Sequence, residues 1–175
     1  MTNEELKDAF WKMQFGLRRS YFYHERRVLF WRTVLFVAQG MEAALGSTAA
    51  AFLFNENGSS LTKWLVLASA IISFVVVWFD ASKRIQVNMT KKARFADLED
   101  RIPFNEDKYS EALLEEIRQV RRKIEKDDDV VLPCVDVLAR NDACRALGVP
   151  EDRKLSFVER TIGRLLPIPY DKKVA

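Results

Sequence analysis

Glu42 is the residue best placed to do chemistry, because it is the only charged residue in an apolar run of 22 residues, Thr33 to Phe54. A carboxylate at the middle of a bilayer costs ~2.5–3.5 kcal/mol on insertion scales, so Glu42 is expected to face protein or water rather than lipid. Spacings of 7, 3, 4 and 3 residues place it on one helical stripe with Arg32, Gln39, Gly46 and Ala49. A second apolar run and the residue directly after it carry a thinner polar stripe, consisting of Ser69, Ser73 and Asp80.

Two kinds of chemistry fit these stripes. If Glu42 and Gln39 repeat around a ring of subunits, they would line a water-filled pore. If Glu42 is instead protonated and hydrogen-bonded between helices, it would fix the register of a packed assembly. The sequence leaves both hypotheses open.

The other reactive side chains do not form a catalytic pattern. His24 is the only histidine, and a packing or hydrogen-bonding role is favoured over a pH-sensitive contact. Cys134 and Cys144 are expected to be reduced, buried and structural rather than a redox sensor. The run Asp127–Asp129 lacks the alternating ligands and glycine of a calcium loop and is expected to cap a turn. With no metal-ligand spacing, Gly-rich phosphate loop or GxSxG motif, the sequence predicts no enzyme, no metal and no cofactor.

The elements that must position Glu42 are two apolar helices. The run Thr33–Phe54 and a second run, Leu65–Phe79, are separated by a short polar turn at residues 55–60. Two such runs joined so closely predict a transmembrane helical hairpin, to which we assign residues 28–80.

The distribution of lysine and arginine predicts the orientation of this hairpin. Seven of these residues precede the first run, the last of them Arg32 directly before it; five follow the second run within residues 83–94, and the turn side has only Lys63. The positive-inside rule therefore predicts that both termini are cytoplasmic. The net charge of +3 is too small to suggest a nucleic-acid partner.

The remaining residues predict a helical cytosolic region. Residues 1–27 form a predicted amphipathic helix, and residues 81–175 a larger helical region, so the whole chain is predicted to be an all-α membrane protein. Helical periodicity continues past the second run, which predicts one unbroken helix from Leu61 to Ile102. A capping-box spacing at Ser156 and Glu159 predicts the start of a last, basic helix over residues 156–166, which could lie on anionic lipid or pack on the other helices.

Two patterns predict a homo-oligomer. A two-helix hairpin cannot shield both polar stripes from lipid, and small residues beside Glu42 allow close helix approach: Gly40, Ala44, Ser47 and Ala50, together with Gly46. A heptad-like seam in the cytosolic region is the second predicted interface, consisting of Tyr109, Leu113, Ile117, Val120 and Ile124.

Several short segments, in order, resemble a known family. They are Tyr23-His24 with Arg26-Arg27, Gly46-Ser47 with Ala49-Ala50, the stretch from Arg94 to Glu99, the stretch from Arg121 to Glu125, and the stretch from Leu138 to Gly148. Over residues 21–166 the chain resembles the two-transmembrane SLATT proteins (SMODS- and SLOG-associating two-transmembrane domains) of bacteria and prophages. The resemblance implies an oligomeric effector of the bacterial inner membrane, linked to phage defence and presumed to permeabilise that membrane.

The expected function is therefore a pore-forming or membrane-perturbing effector. Its expected partners are copies of itself, membrane lipids and a cytosolic sensor or regulator. The alternative is a non-conducting membrane scaffold or adaptor that recruits a cytosolic partner.

Overall fold

The computed structural model of the chain describes residues 1–53, 60–78, 80–126, 131–151, 154–157, 159 and 163, with the backbone alone at 49–53, 60–62 and 75–77. Within these residues five α-helices follow one another: α1 Asn3–Leu53, α2 Ser60–Trp78, α3 Ala81–Glu99, α4 Glu111–Glu125 and α5 Pro133–Ala146. A 3₁₀ turn, Glu106–Lys108, precedes α4. No strand occurs among the described residues, so the all-α prediction is confirmed.

Several predicted features fall outside the described residues. They are the turn between the apolar runs apart from Ser60, the run Asp127–Asp129, and most of the last helix. The predicted capping box at the start of that helix is described and confirmed, because the Glu159 amide donates to Ser156 Oγ at 3.3 Å and the Ser156 amide donates to Glu159 Oε2 at 2.9 Å.

Helix ends follow local sequence signals. The Ser110 hydroxyl accepts a hydrogen bond from the Leu113 amide at 3.2 Å and caps α4. Pro133 begins α5, where its missing N–H costs nothing. The chain leaves α5 through Gly148, whose φ of +68° favours glycine, while the Val149 amide donates to the Cys144 carbonyl at 2.8 Å.

The prediction of one unbroken helix from Leu61 to Ile102 is wrong. The helix α2 ends at Trp78 and α3 begins at Ala81, because Asp80 has a φ of +45°. A residue in this left-handed region cannot continue a right-handed helix. The Asp80 carbonyl instead accepts the Arg84 amide at 3.0 Å and starts α3. Helical periodicity could not reveal the break, since it records side-chain polarity and not backbone angle.

The chain divides into two compact units. One, here called the bundle, comprises residues 1–27 and 88–175, and the other, the apolar unit, comprises residues 28–87. The bundle has a core of large apolar side chains from α1, α3 and α4: Phe10, Met13, Leu17, Phe95, Leu98, Leu114, Ile117 and Ile124. The bundle therefore buries its own amphipathic faces.

This core corrects the interpretation of the heptad-like seam. Ile117 and Ile124 are buried in it, Leu113 and Val120 pack against it, and the Tyr109 ring stacks on Phe10 with centroids 4.1 Å apart. The seam is occupied by α1 and α3 of the same chain, so it no longer supports a contact with a second subunit. Its spacing showed an apolar helix face but could not show which helix covers it.

Ion pairs attach α1 to α5. The Arg19 guanidinium donates to both carboxylate oxygens of Asp136, with 2.7 Å between Nε and Oδ1. Arg26 Nε donates to Asp142 Oδ2 at 2.5 Å, and Asp142 is only 16% exposed at its side chain. Bidentate and partly buried pairs are the ion pairs that hold geometry, whereas exposed ones contribute little.

A second set of ion pairs attaches α1 to α3. Arg18 lies 2.5 Å from Glu99, and Lys92 Nζ donates to Glu25 at 2.6 Å. The hydrogen bond to Glu25 raises the pKa of Lys92 above its usual value, so Lys92 stays charged at physiological pH. Alternating ion pairs thus attach one short segment of α1 to two different helices.

His24 lies between these pairs and has the packing role that the sequence favoured. Its side chain is 4% exposed, its Nδ1 is 2.9 Å from Asn88 Oδ1, and its ring stacks on Phe95. The neighbouring Tyr23 hydroxyl accepts the Leu132 amide at 3.2 Å, just before α5. His24 and Tyr23 therefore help to join α1 to α3 and to the start of α5.

Cys134 and Cys144 are both buried thiols outside any disulfide, as predicted. Cys134 belongs to a small apolar cluster with Val137, Leu138 and Leu155. A Cβ atom at Gly163 would lie 2.4 Å from Cys134 Sγ, so this close approach requires glycine.

Replacing Arg26 with glutamine should lower the free energy of unfolding by about 1–2 kcal/mol, because Asp142 would keep only its pair with Arg145. The loss is measured by chemical unfolding of the purified chain, followed by circular dichroism. Arg122→Gln is the matched control, since Arg122 is exposed. Equal stability of the Arg26 and Arg122 variants would contradict a structural role for the pair.

Candidate functional site

The apolar unit differs from the bundle in where its large side chains lie. The largest fully buried side chains among the described residues all belong to the bundle. The apolar unit instead exposes many large apolar side chains, with Phe36 77% and Trp78 73% exposed: Leu29, Phe36, Val37, Met41, Trp64, Val66, Leu67, Ile71, Phe74, Trp78 and Val87. An exposed apolar surface of this extent is typical of a surface that contacts lipid or another protein.

By length and composition, the described residues support one possible membrane span rather than the two spans of the predicted hairpin. One described helical stretch, Asn3–Thr48 of α1, contains a segment long and apolar enough to cross a membrane. The described apolar part of α2, Lys63–Phe74, is shorter.

Glu42 and Ser73 are the two predicted stripe residues that the fold brings into contact. The Ser73 hydroxyl donates to Glu42 Oε1 at 2.6 Å, which joins α1 to α2 inside the apolar unit. Each residue was predicted on its own helix, but their pairing depends on the register of the two helices. That register is set by packing and not by either stripe alone.

One hydroxyl does not satisfy the Glu42 carboxylate. An ionised carboxylate has about four acceptor positions, and a protonated one still has a proton to donate. The side chain is half-buried, so part of it remains open to its surroundings. Glu42 can therefore contact water, lipid or another protein chain while Ser73 holds it.

The helix face beside Glu42 is open. Gln39, Gly40 and Ala44 are exposed, and a Cβ atom added at Gly40 or Gly46 would meet no atom within 4 Å. Ser47 is also exposed, but its hydroxyl donates to the Ala43 carbonyl at 2.7 Å and so has a partner within its own helix. The side chain of Ala50, which was predicted at the same face, lies outside what the structure describes.

The outer members of the stripes have other positions. Ser69 is half-buried on α2, whereas Asp80 marks the break between α2 and α3. Arg32 is exposed near the start of the first apolar run. Arg84, which the sequence analysis missed as a site residue, has its guanidinium carbon 5.2 Å from the centroid of the buried Trp31 ring. This cation–π geometry stabilises an arginine next to an apolar surface.

The described residues contain no group of three or more His, Cys, Asp or Glu side chains that could hold a metal ion. The chemistry that the described contacts show at this site is hydrogen bonding and charge at Glu42.

Comparisons with protein-family models, with curated proteins and with solved structures gave no match.

Proposed function

We propose that this chain is a two-span membrane protein of the bacterial inner membrane whose hairpins self-associate and permeabilise the membrane. The observation that carries the proposal is the Glu42–Ser73 pair, a half-buried carboxylate held between two helices whose other surfaces expose large apolar side chains. Membrane insertion, assembly and conduction each have separate support.

Membrane insertion is supported by surface and length. The helix α2 has 19 residues, which corresponds to about 28 Å, close to the ~30 Å of a hydrocarbon core. Aromatic side chains near the two ends of α2, Trp64 and Trp78, are exposed, as is common at membrane interfaces. The one-sided distribution of lysine and arginine favours cytoplasmic termini.

Assembly is supported by the open face of α1. Two helices cannot enclose the Glu42 carboxylate and the exposed Gln39 at the same time, whereas helices from several copies can. Glycines with empty space beside them let neighbouring helices approach closely, where van der Waals contact drives association in lipid. Because the Tyr109–Ile124 seam is occupied within the chain, this face alone supports self-association.

Conduction is supported by the chemistry of the same face. A ring of Glu42 and Gln39 side chains would replace part of the hydration shell of a cation and attract it by charge. Ser73 would orient the carboxylate without neutralising it. The resemblance to SLATT proteins adds a reason to expect a membrane-permeabilising effector, with a cytosolic sensor or regulator as its partner.

The alternative is a non-conducting scaffold or adaptor, and one observation favours it. A hydrogen bond between Glu42 and Ser73 is also what a protonated carboxylate would make if it fixed the register of a packed hairpin. In that case the bundle would recruit a cytosolic partner to the membrane.

The two functions predict different effects of Glu42→Gln. In an effector, the reconstituted protein passes ions, and the substitution reduces cation selectivity about tenfold or less while assembly persists, because an amide lacks the charge of the carboxylate. The measurement is the reversal potential across a planar bilayer under a salt gradient. Glu4→Gln is the matched control, since Glu4 lies in the bundle and is exposed.

Absence of conductance from both the wild-type protein and the Glu42 variant, with unchanged assembly, would contradict the effector and support the scaffold. Conductance that Glu42→Gln leaves unchanged in selectivity would contradict the role given to Glu42.

Replacing Gly46 with leucine tests assembly separately. The substitution has open space inside the chain, so it should leave the monomer folded and weaken self-association by about tenfold, which corresponds to ~1.4 kcal/mol. Light scattering or native mass spectrometry of detergent-solubilised protein measures the change. Ala70→Leu is the control, because it adds the same bulk to an exposed position on α2. A wild-type monomer at all concentrations would contradict self-association.

A further inference from the structure

The bundle contains a groove between α3 and α4 whose rim carries more positive than negative side chains. The groove has a volume of about 280 Å³ and is lined by residues from both helices and the turn after α3: Arg94, Asp97, Leu98, Arg101, Val120, Lys123 and Ile124. Its floor is apolar, since Leu98 and Ile124 belong to the bundle core. Its rim carries three cationic side chains and one carboxylate.

The cations of this groove are available to a ligand. Within the part of the chain that the structure describes, Arg94 and Lys123 form no ion pair. Other cations of the bundle do form ion pairs: Arg18, Arg19, Arg26 and Lys92. Asp97 lies three residues after Arg94 and four before Arg101, yet it forms no ion pair with either. Arg101 makes only a long contact with Glu116, at 3.7 Å.

A second groove of the bundle provides the contrast. It is larger, about 560 Å³, and lies between the start of α1 and α4. Its charges are mostly compensated inside the chain, because Lys12 pairs with Asp8, Arg121 with Glu125, and the terminal amine with Glu111. The smaller groove is therefore the one with uncompensated positive charge.

From this arrangement we infer that the groove lined by Arg94, Arg101 and Lys123 binds a small organic phosphate that carries one apolar ring. Arginine forks and a lysine ammonium are the groups that bind phosphate oxygens. The apolar floor of Leu98, Val120 and Ile124 would contact the ring, and Asp97 would accept a hydrogen bond from a hydroxyl or amino group of the ligand. The volume is just below the ~300 Å³ lower limit of common ligand pockets, which restricts the ligand to about the size of a monophosphate.

This site is independent of the proposed function, because it lies entirely in the bundle and makes no use of Glu42. Binding there can be measured whether or not the protein conducts ions.

Isothermal titration of the full chain in neutral detergent with phenyl phosphate tests the inference. We expect saturable binding that weakens as sodium chloride increases, and weaker binding of inorganic phosphate, which lacks the ring. Arg94→Gln and Lys123→Gln should each weaken phenyl phosphate binding by about tenfold or more, the factor expected for one charge-assisted hydrogen bond. Their circular dichroism should match the wild type, since both side chains are exposed.

Arg122→Gln is the matched control, because Arg122 precedes Lys123 on α4 but does not line the groove. It should change phenyl phosphate binding less than twofold. Displacement of phenyl phosphate by short-chain phosphatidic acid would assign the natural phosphate to a lipid headgroup, and its failure to displace would assign it to a free metabolite.

Three results would overturn the inference. They are no binding at millimolar phenyl phosphate in low salt, an equal loss in the Arg122 and Lys123 variants, and equal affinity for inorganic phosphate and phenyl phosphate. The second would indicate nonspecific attraction to a basic helix, and the third would remove the role of the apolar floor.

Discussion

Exposed apolar helix surface must be covered by lipid or by protein, and the properties of this chain follow from how residues 28–87 meet that requirement. These residues expose Phe36, Phe74 and Trp78, whereas the bundle buries Phe10 and Phe95 in its core. Within that apolar surface Glu42 is the one carboxylate of the first run, and its bond to Ser73 links α1 to α2.

The bundle is held together by contacts within the chain. Its stability comes from a core shared by α1, α3 and α4 and from ion pairs that connect one segment of α1 to α3 and α5. Arg19 and Arg26 attach α5, while Arg18 and Glu25 attach α3, with the buried His24 between them. Most charges of this segment are thereby satisfied inside the chain. Among the residues that the structure describes, Arg94 and Lys123 form no ion pair, and both line the groove between α3 and α4.

The sequence predicted the helical class and the burial of both cysteines, because these depend on local composition and periodicity. It could not predict that Glu42 meets Ser73, since the partner depends on helix register. The seam at Tyr109–Ile124 was recognised as an apolar face, but the sequence could not show that helices of the same chain pack on it, because spacing does not identify what covers a face. The break at Asp80 depends on a positive backbone φ angle, which the presence of an aspartate does not predict. The groove between α3 and α4 could not be predicted because it is formed by residues that are distant in the sequence.

Thiol labelling in intact cells tests the two-span arrangement most directly. Single cysteines at position 2 and position 58 are introduced by Thr2→Cys and Gly58→Cys into a chain whose buried Cys134 and Cys144 are replaced by alanine. The proposed topology predicts that a membrane-impermeant maleimide labels the Gly58 variant in intact cells, and labels the Thr2 variant only after lysis. Labelling of the Thr2 variant in intact cells, or protection of the Gly58 variant, would contradict an inserted hairpin with cytoplasmic termini.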